Sequence, residues 1–125
     1  MAIFNAGGDQ PDHASRAARA GLSIIEAGRP LAAAHEDWPV FRVGVNTGPA
    51  VVGTVGAAGR HSFAVIGDTT NVAARLMGAG EPGQVTVAGA TWAELGPGRD
   101  GTPLGPTQLK GKRVAVEAWT LRAVS

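Results

Sequence analysis

Asn71 and Arg75 stand four residues apart in the segment Gly67–Met77. On a helix that spacing puts them about 40° apart on one face. An amide beside a guanidinium suits a phosphate or ribose ligand, because Arg offers planar paired donors and never loses its charge. The same two residues also describe the wet face of an ordinary amphipathic helix. Val72 and Leu76 share the spacing and lie roughly 100° further round, towards a core. Lys110 and Lys112 are the two Lys of the chain, against nine Arg, and they share one turn. A Lys at a hairpin tip can reach a triphosphate as a point charge, and it can equally serve solubility. Arg42 interrupts an apolar strand and faces opposite to Phe41, Val43 and Val45, so it lines a site or sits on an open sheet face.

Other chemistries are excluded by residue type or spacing. The chain has no Cys, which removes thiolate metal sites, cysteine nucleophiles and disulfides together. His13, His35 and His61 lack metal-ligand spacing, and no Gly-x-Ser-x-Gly elbow is present. The run Gly53–Gly59 is glycine-rich but fits neither a dinucleotide fingerprint nor a phosphate loop ending in Lys-Ser/Thr, so it reads as a turn. Trp38, Trp92 and Trp119 are too scattered for a base-stacking platform and read as core or rim packing. A net charge of +1 gives no support for nucleic-acid binding through bulk charge.

The elements that must position these groups fit one small domain. At 125 residues, 44% hydrophobic and 17% charged, the chain is apolar enough to fold and too short for a second core. No signal peptide or membrane segment is recognisable, so a soluble cytoplasmic domain is expected. Met1–Phe4 reads as the tail of a strand. A helix opens at Pro11-Asp12 with Asp12 as N-cap, carries Ala14, Ala17, Ala18, Leu22 and Ile25 inward, and ends or kinks at Gly28 and Pro30, with another turn or two possible over 31–35. Strands over 40–45 and 50–55 are joined as a hairpin by Asn46-Thr47-Gly48-Pro49. A short strand over 62–66 precedes the helix of Asn71 and Arg75, which Gly78 and Gly80 close. A strand at 84–87, a short helix at 90–95 and a hairpin pairing 108–109 with 114–121 complete an α+β or α/β sheet with helices on one side.

Three strings carry a resemblance: Arg42-Val-Gly-Val-Asn-Thr-Gly48-Pro-Ala-Val-Val-Gly53, Val65-Ile-Gly67-Asp68-Thr-Thr-Asn71-Val-Ala-Ala-Arg75-Leu, and Gly80-Glu-Pro-Gly-Gln84. Together they resemble the catalytic domain of the class III adenylyl/guanylyl cyclases of bacterial type. Pro11-Asp12-His13-Ala14 and Leu109-Lys110-Gly111-Lys112 fit the same family, and the likeness runs over essentially the whole chain.

The resemblance implies a ferredoxin-like βαββαβ core and a head-to-tail dimer with composite sites, so the partner is a second copy or another cyclase-domain chain. It implies conversion of ATP, or of GTP, to the 3′,5′-cyclic nucleotide and pyrophosphate. By that likeness Asn71 orients the ribose, Arg75 stabilises charge on the α-phosphate, and Arg42 and Lys110 hold the β/γ-phosphates. Ala64 matches the position that contacts the base, where its side chain cannot hydrogen-bond; ATP is the default. Mg²⁺ or Mn²⁺ is expected for the family, held by two Asp in the first strand and just ahead of the part matching Met1–Phe4. Neither position falls in this chain, and Asp9, Asp12 and Asp68 do not match them. Residues 1–125 thus read as the carboxy-terminal two-thirds of the domain, lacking its first strand and helices and inactive alone. The alternative is a non-catalytic module that pairs with a complete cyclase or binds nucleotide.

Overall fold

The computed structural model describes residues 1–55 and 62–125, with side chains described for 1–51 and 67–125. The expected turn at Gly56-Ala57-Ala58-Gly59 therefore lies outside the described residues.

Helix α1 spans His13–Ala34 and buries Ala14, Ala18, Gly21 and Ile25, while Arg16, Arg19, Ser23 and Glu26 stay exposed. Asp12 occupies the N-cap position but makes no capping bond; its carboxylate accepts from Arg16 Nε at 2.9 and 3.0 Å. Of the two outcomes expected at Gly28 and Pro30, the end does not occur: the helix runs through Pro30 to Ala34, adding the further turn that 31–35 allowed. Pro30 forfeits the hydrogen bond to the carbonyl of Glu26, an exposed residue where water can replace the missing donor. Gly28 instead makes room for a ring: a Cβ there would come within 2.8 Å of Phe41.

The main sheet has four strands in the order β1-β4-β6-β5. Strand β1 (Val43–Val45) pairs parallel with β4 (Val85–Ala88), which pairs antiparallel with β6 (Val116–Ala123); β6 pairs antiparallel with β5 (Asp100–Thr107). Helix α2 is Asp68–Ala79 and α3 is Gly89–Glu94. Helices cover both faces of this sheet, not one. Val85 and Val87 pack with Ala18, Ile25 and Leu121 on the α1 side. Ala88 packs with Val72, Leu76, Leu109 and Ala118 on the α2 side. All four β4 residues are consequently buried, as a strand covered on both faces requires. Trp92 and Trp119 stack at 4.0 Å beside the α1 core, and Trp38 stacks on His35 at the surface.

Three expected pairings are corrected. Met1–Phe4 is not a strand: no described segment hydrogen-bonds it into a ladder. The segments around Val43–Val45 and Val51–Val55 do not form a hairpin. Strand β2 (Val51–Val55) pairs with β3 (Ser62–Ile66) in a separate two-stranded ribbon, registered from Val51↔Ile66 to Val55↔Ser62. The linker 46–49 is tied to α2 instead: Asn46 Nδ2 donates to the Thr69 carbonyl at 3.2 Å, and Thr69 Oγ1 to the Pro49 carbonyl at 2.6 Å. Lastly, β6 pairs with 100–107 and not with 108–109. That stretch holds Gly101, Pro103, Gly105 and Pro106, which conceal a strand from sequence reading; an edge strand with register shifts tolerates them.

Candidate functional site

Helix α2 begins after Gly67, whose φ of +150° suits a residue without Cβ. It ends at Gly80, whose N–H donates to the carbonyls of Leu76 and Met77 at 3.1 and 3.3 Å. Val72 and Leu76 anchor it to the sheet, which fixes the direction of the remaining side chains. Asp68, Asn71 and Arg75 then fall on one flank, at positions i, i+3 and i+7. Asn71 is exposed and Arg75 half-buried. Thr69, Thr70, Ala73 and Met77 occupy another flank, facing away from that row.

The β5–β6 connection brings the basic turn onto the Asn71/Arg75 flank. Leu109 is buried in the same cluster as Val72 and Leu76. The Lys112 N–H donates to the Leu109 carbonyl at 3.1 Å, and Gln108 Nε2 to the Lys112 carbonyl at 2.7 Å. Lys112 Nζ reaches Asp68 Oδ2 at 2.6 Å. Gly111, with φ +82°, lies against Arg75: a Cβ there would meet the guanidinium at 3.1 to 3.4 Å. Lys110 is the exposed residue immediately before it.

Arg42 is elsewhere. It precedes β1, is exposed, and lines a cleft of about 870 Å³ on the other flank of α2. The cleft runs along the edge of β1 that β4 does not occupy, between Ala17, Gly21 and Ile24 of α1 and Ala73 and Met77 of α2. Gly44 has no room for a side chain, because a Cβ would strike the Ala73 carbonyl and the Met77 N–H. Ala64 is placed on β3 opposite Gly53; its side chain lies outside the described set. The structure therefore unites Asn71, Arg75 and the Lys110 turn, and separates Arg42 from them.

Metal chemistry finds no donor set in this arrangement. Among the described residues no three His, Asp or Glu side chains come together to hold an ion. On the Asn71/Arg75 flank the carboxylate of Asp68 is engaged by Lys112. The Mg²⁺ or Mn²⁺ expected from the resemblance does not fit these residues.

The profile of the adenylate and guanylate cyclase catalytic domain matches residues 1–123. The chain belongs to that family. It is 34% identical over 130 residues to adenylate cyclase 1 of Rhizobium meliloti (strain 1021), covering 99% of this chain and 20% of that protein. It is 32% identical over 112 residues to retinal guanylyl cyclase 2 of Bos taurus, covering 86% of this chain and 10% of that protein. The adenylyl cyclase CyaB from P. aeruginosa has the same fold, with a TM-score of 0.84 at 24% identity over 98% of this chain and 66% of that one. The chain thus spans a fifth or less of these two curated relatives and two-thirds of the solved cyclase domain. The cyclase fold is the α+β class expected from the sequence.

Sequence reading considered Asp68 only as a metal ligand, which it does not match, and gave Lys112 no role beside Lys110. A signal existed for Asp68, since it shares the helical row of Asn71 and Arg75. Nothing in the sequence pointed to its Lys112 partner 44 residues away. No described helix is long and apolar enough to cross a membrane.

Proposed function

We propose that this chain contributes a transition-state half-site to a dimeric nucleotide cyclase acting on ATP. One observation carries the reading: Asn71, Arg75 and the turn of Lys110 stand on a single flank of α2, with Gly111 against the Arg75 guanidinium. In the cyclisation the ribose 3′-hydroxyl loses its proton to solvent, its oxygen forms a bond to the α-phosphorus, the bond to the bridging oxygen breaks, and pyrophosphate leaves with that electron pair. Arg75 places a fixed positive charge where the α-phosphate gains negative charge, and a preorganised cation there lowers the barrier. Asn71 holds the ribose, so that the hydroxyl approaches in line. Lys110 meets the β- and γ-phosphates as a point charge.

Arg42 belongs to the other half of a composite site. Its position on the far flank of α2 supports that assignment, since the two flanks of one helix cannot grip one triphosphate. No step here is routed through metal-binding carboxylates. ATP is favoured over GTP because the relative matched over 99% of this chain is named an adenylate cyclase. Ala64 at the base-contacting position offers no side-chain hydrogen bond to either base. The alternative reading is a nucleotide-binding module without turnover.

The test mixes the purified chain with a cyclase domain that keeps its carboxylates but has its own Asn and Arg replaced, with ATP and GTP assayed in parallel. Cyclic AMP formed only in the mixture is the expected result. Cyclic GTP in its place would overturn the choice of ATP, and no product from folded, associated chains would favour the module.

A further inference from the structure

Asp68 and Lys112 have no part in the chemistry above, yet theirs is the ion pair that joins the basic turn to α2. Asp68 stands in the first turn of the helix, on the row of Asn71 and Arg75. Left alone, its carboxylate would add negative charge to the flank that is to receive a triphosphate. Lys112 engages it at 2.6 Å. Arg75 forms no ion pair among the described residues and keeps its donors for a ligand.

The pair also closes a rigid circuit. Leu109 is sunk in the core beside Leu76, the Lys112 N–H returns to the Leu109 carbonyl, and Lys112 Nζ returns to the helix at Asp68. Gly111, within that circuit, lies on the guanidinium of Arg75. Lys110 is the residue next to Gly111 in that circuit.

Resting on the half-site reading, we propose that Asp68 and Lys112 are positioning residues: their ion pair latches the 109–112 turn onto α2, so that Lys110 and Arg75 grip the same polyphosphate. The latch makes an expectation opposite to that of simple charge. Replacing Asp68 by Asn removes a negative charge and releases Lys112, so electrostatics alone would tighten the binding of an anion. Loss of the latch weakens it.

The experiment titrates the whole chain with inorganic triphosphate and follows both affinity and the Nε–H resonance of Arg75 by NMR. The variants are Asp68→Asn, Asp68→Glu and Arg75→Ala. Asp68→Asn is expected to weaken binding about three-fold, the size an exposed ion pair commonly carries, and to move the Arg75 resonance; Asp68→Glu keeps both near wild type. Unchanged or tighter binding in Asp68→Asn, with Arg75→Ala still weakened, overturns the latch and leaves the half-site reading standing. A folded wild type that binds no triphosphate, or an Arg75→Ala variant that binds as wild type does, overturns that reading and the latch with it.

Discussion

The two flanks of α2 are built in opposite ways. One carries Asn71 and Arg75, is met by the 109–112 turn, and is tied by the buried Leu109 and the Lys112–Asp68 pair. The other borders a largely apolar cleft, lined in part by Met1–Ala6, Ile24 and Met77, along the edge of β1 that no described strand pairs with. The fold therefore secures Asn71, Arg75 and the 109–112 turn without help from the β1 edge. The cation flank draws its stability from the Val72/Leu76/Leu109 cluster, on the α2 side of the sheet.

Arg75→Ala is expected to have the largest effect, lowering cyclic AMP formation in the complementation mixture by about 100-fold or more, as loss of a preorganised transition-state donor does. A smaller loss would move the charge-bearing role off this flank. Leu76→Ala removes a fully buried side chain and is expected to cost about 3 kcal/mol in urea unfolding. Met77→Ser, on the open flank and 44% exposed, is expected to change stability by less than about 0.5 kcal/mol. Comparable losses for the two would erase the contrast between the flanks.

Gly111→Ala forces a Cβ onto a backbone at φ +82° and towards the Arg75 guanidinium. It is expected to weaken triphosphate binding several-fold while costing about 1 kcal/mol of stability. Unchanged binding would show that the turn does not control Arg75.

The smallest effect lies at the far edge of the sheet. The hydrogen bond from Arg122 holds the Asp100 carboxyl below its usual 3.8, the slight desolvation opposing it, and the Arg122 guanidinium is raised in turn. A carboxyl with a lowered folded pKa contributes stability above its unfolded value and loses it as pH falls through the folded one. The β5–β6 tie is therefore intact at neutral pH and loosens below about pH 3.8. The hydrogen-exchange protection of β5, corrected for the intrinsic rate, should fall there ahead of that of α2, and Asp100→Asn should abolish that pH dependence.

Legibility in the sequence followed local signals. The α2 segment was readable end to end because its periodicity, Gly67 and Gly80 all point to one helix. Lys110-Gly111-Lys112-Arg113 was readable as a turn because a glycine stands among charged residues, although Leu109, read as strand, lies outside the ladder. Strand β5 was hidden by Pro103 and Pro106, whose placement on an edge is a tertiary matter. The pairing of β1 with β4, 42 positions away by the register Val43↔Val85, has no local signature, and Asn46-Thr47-Gly48-Pro49 imitates a hairpin turn while Asn46 and Pro49 are both bonded to Thr69 of α2. The family likeness singled out Asn71 and Arg75. It could not separate Arg42 from them, because their placement on different flanks of α2 depends on which face Val72 and Leu76 bury.

The measurement that bears most directly on this account is an NMR titration of the isotopically labelled chain with ATP. Perturbations confined to Asn71, Arg75 and Gly111, with Ala17, Gly21 and Gly44 of the cleft unmoved, are the result expected. Perturbations in the cleft that leave Arg75 and Gly111 unmoved would contradict it and transfer the nucleotide to the other flank of α2.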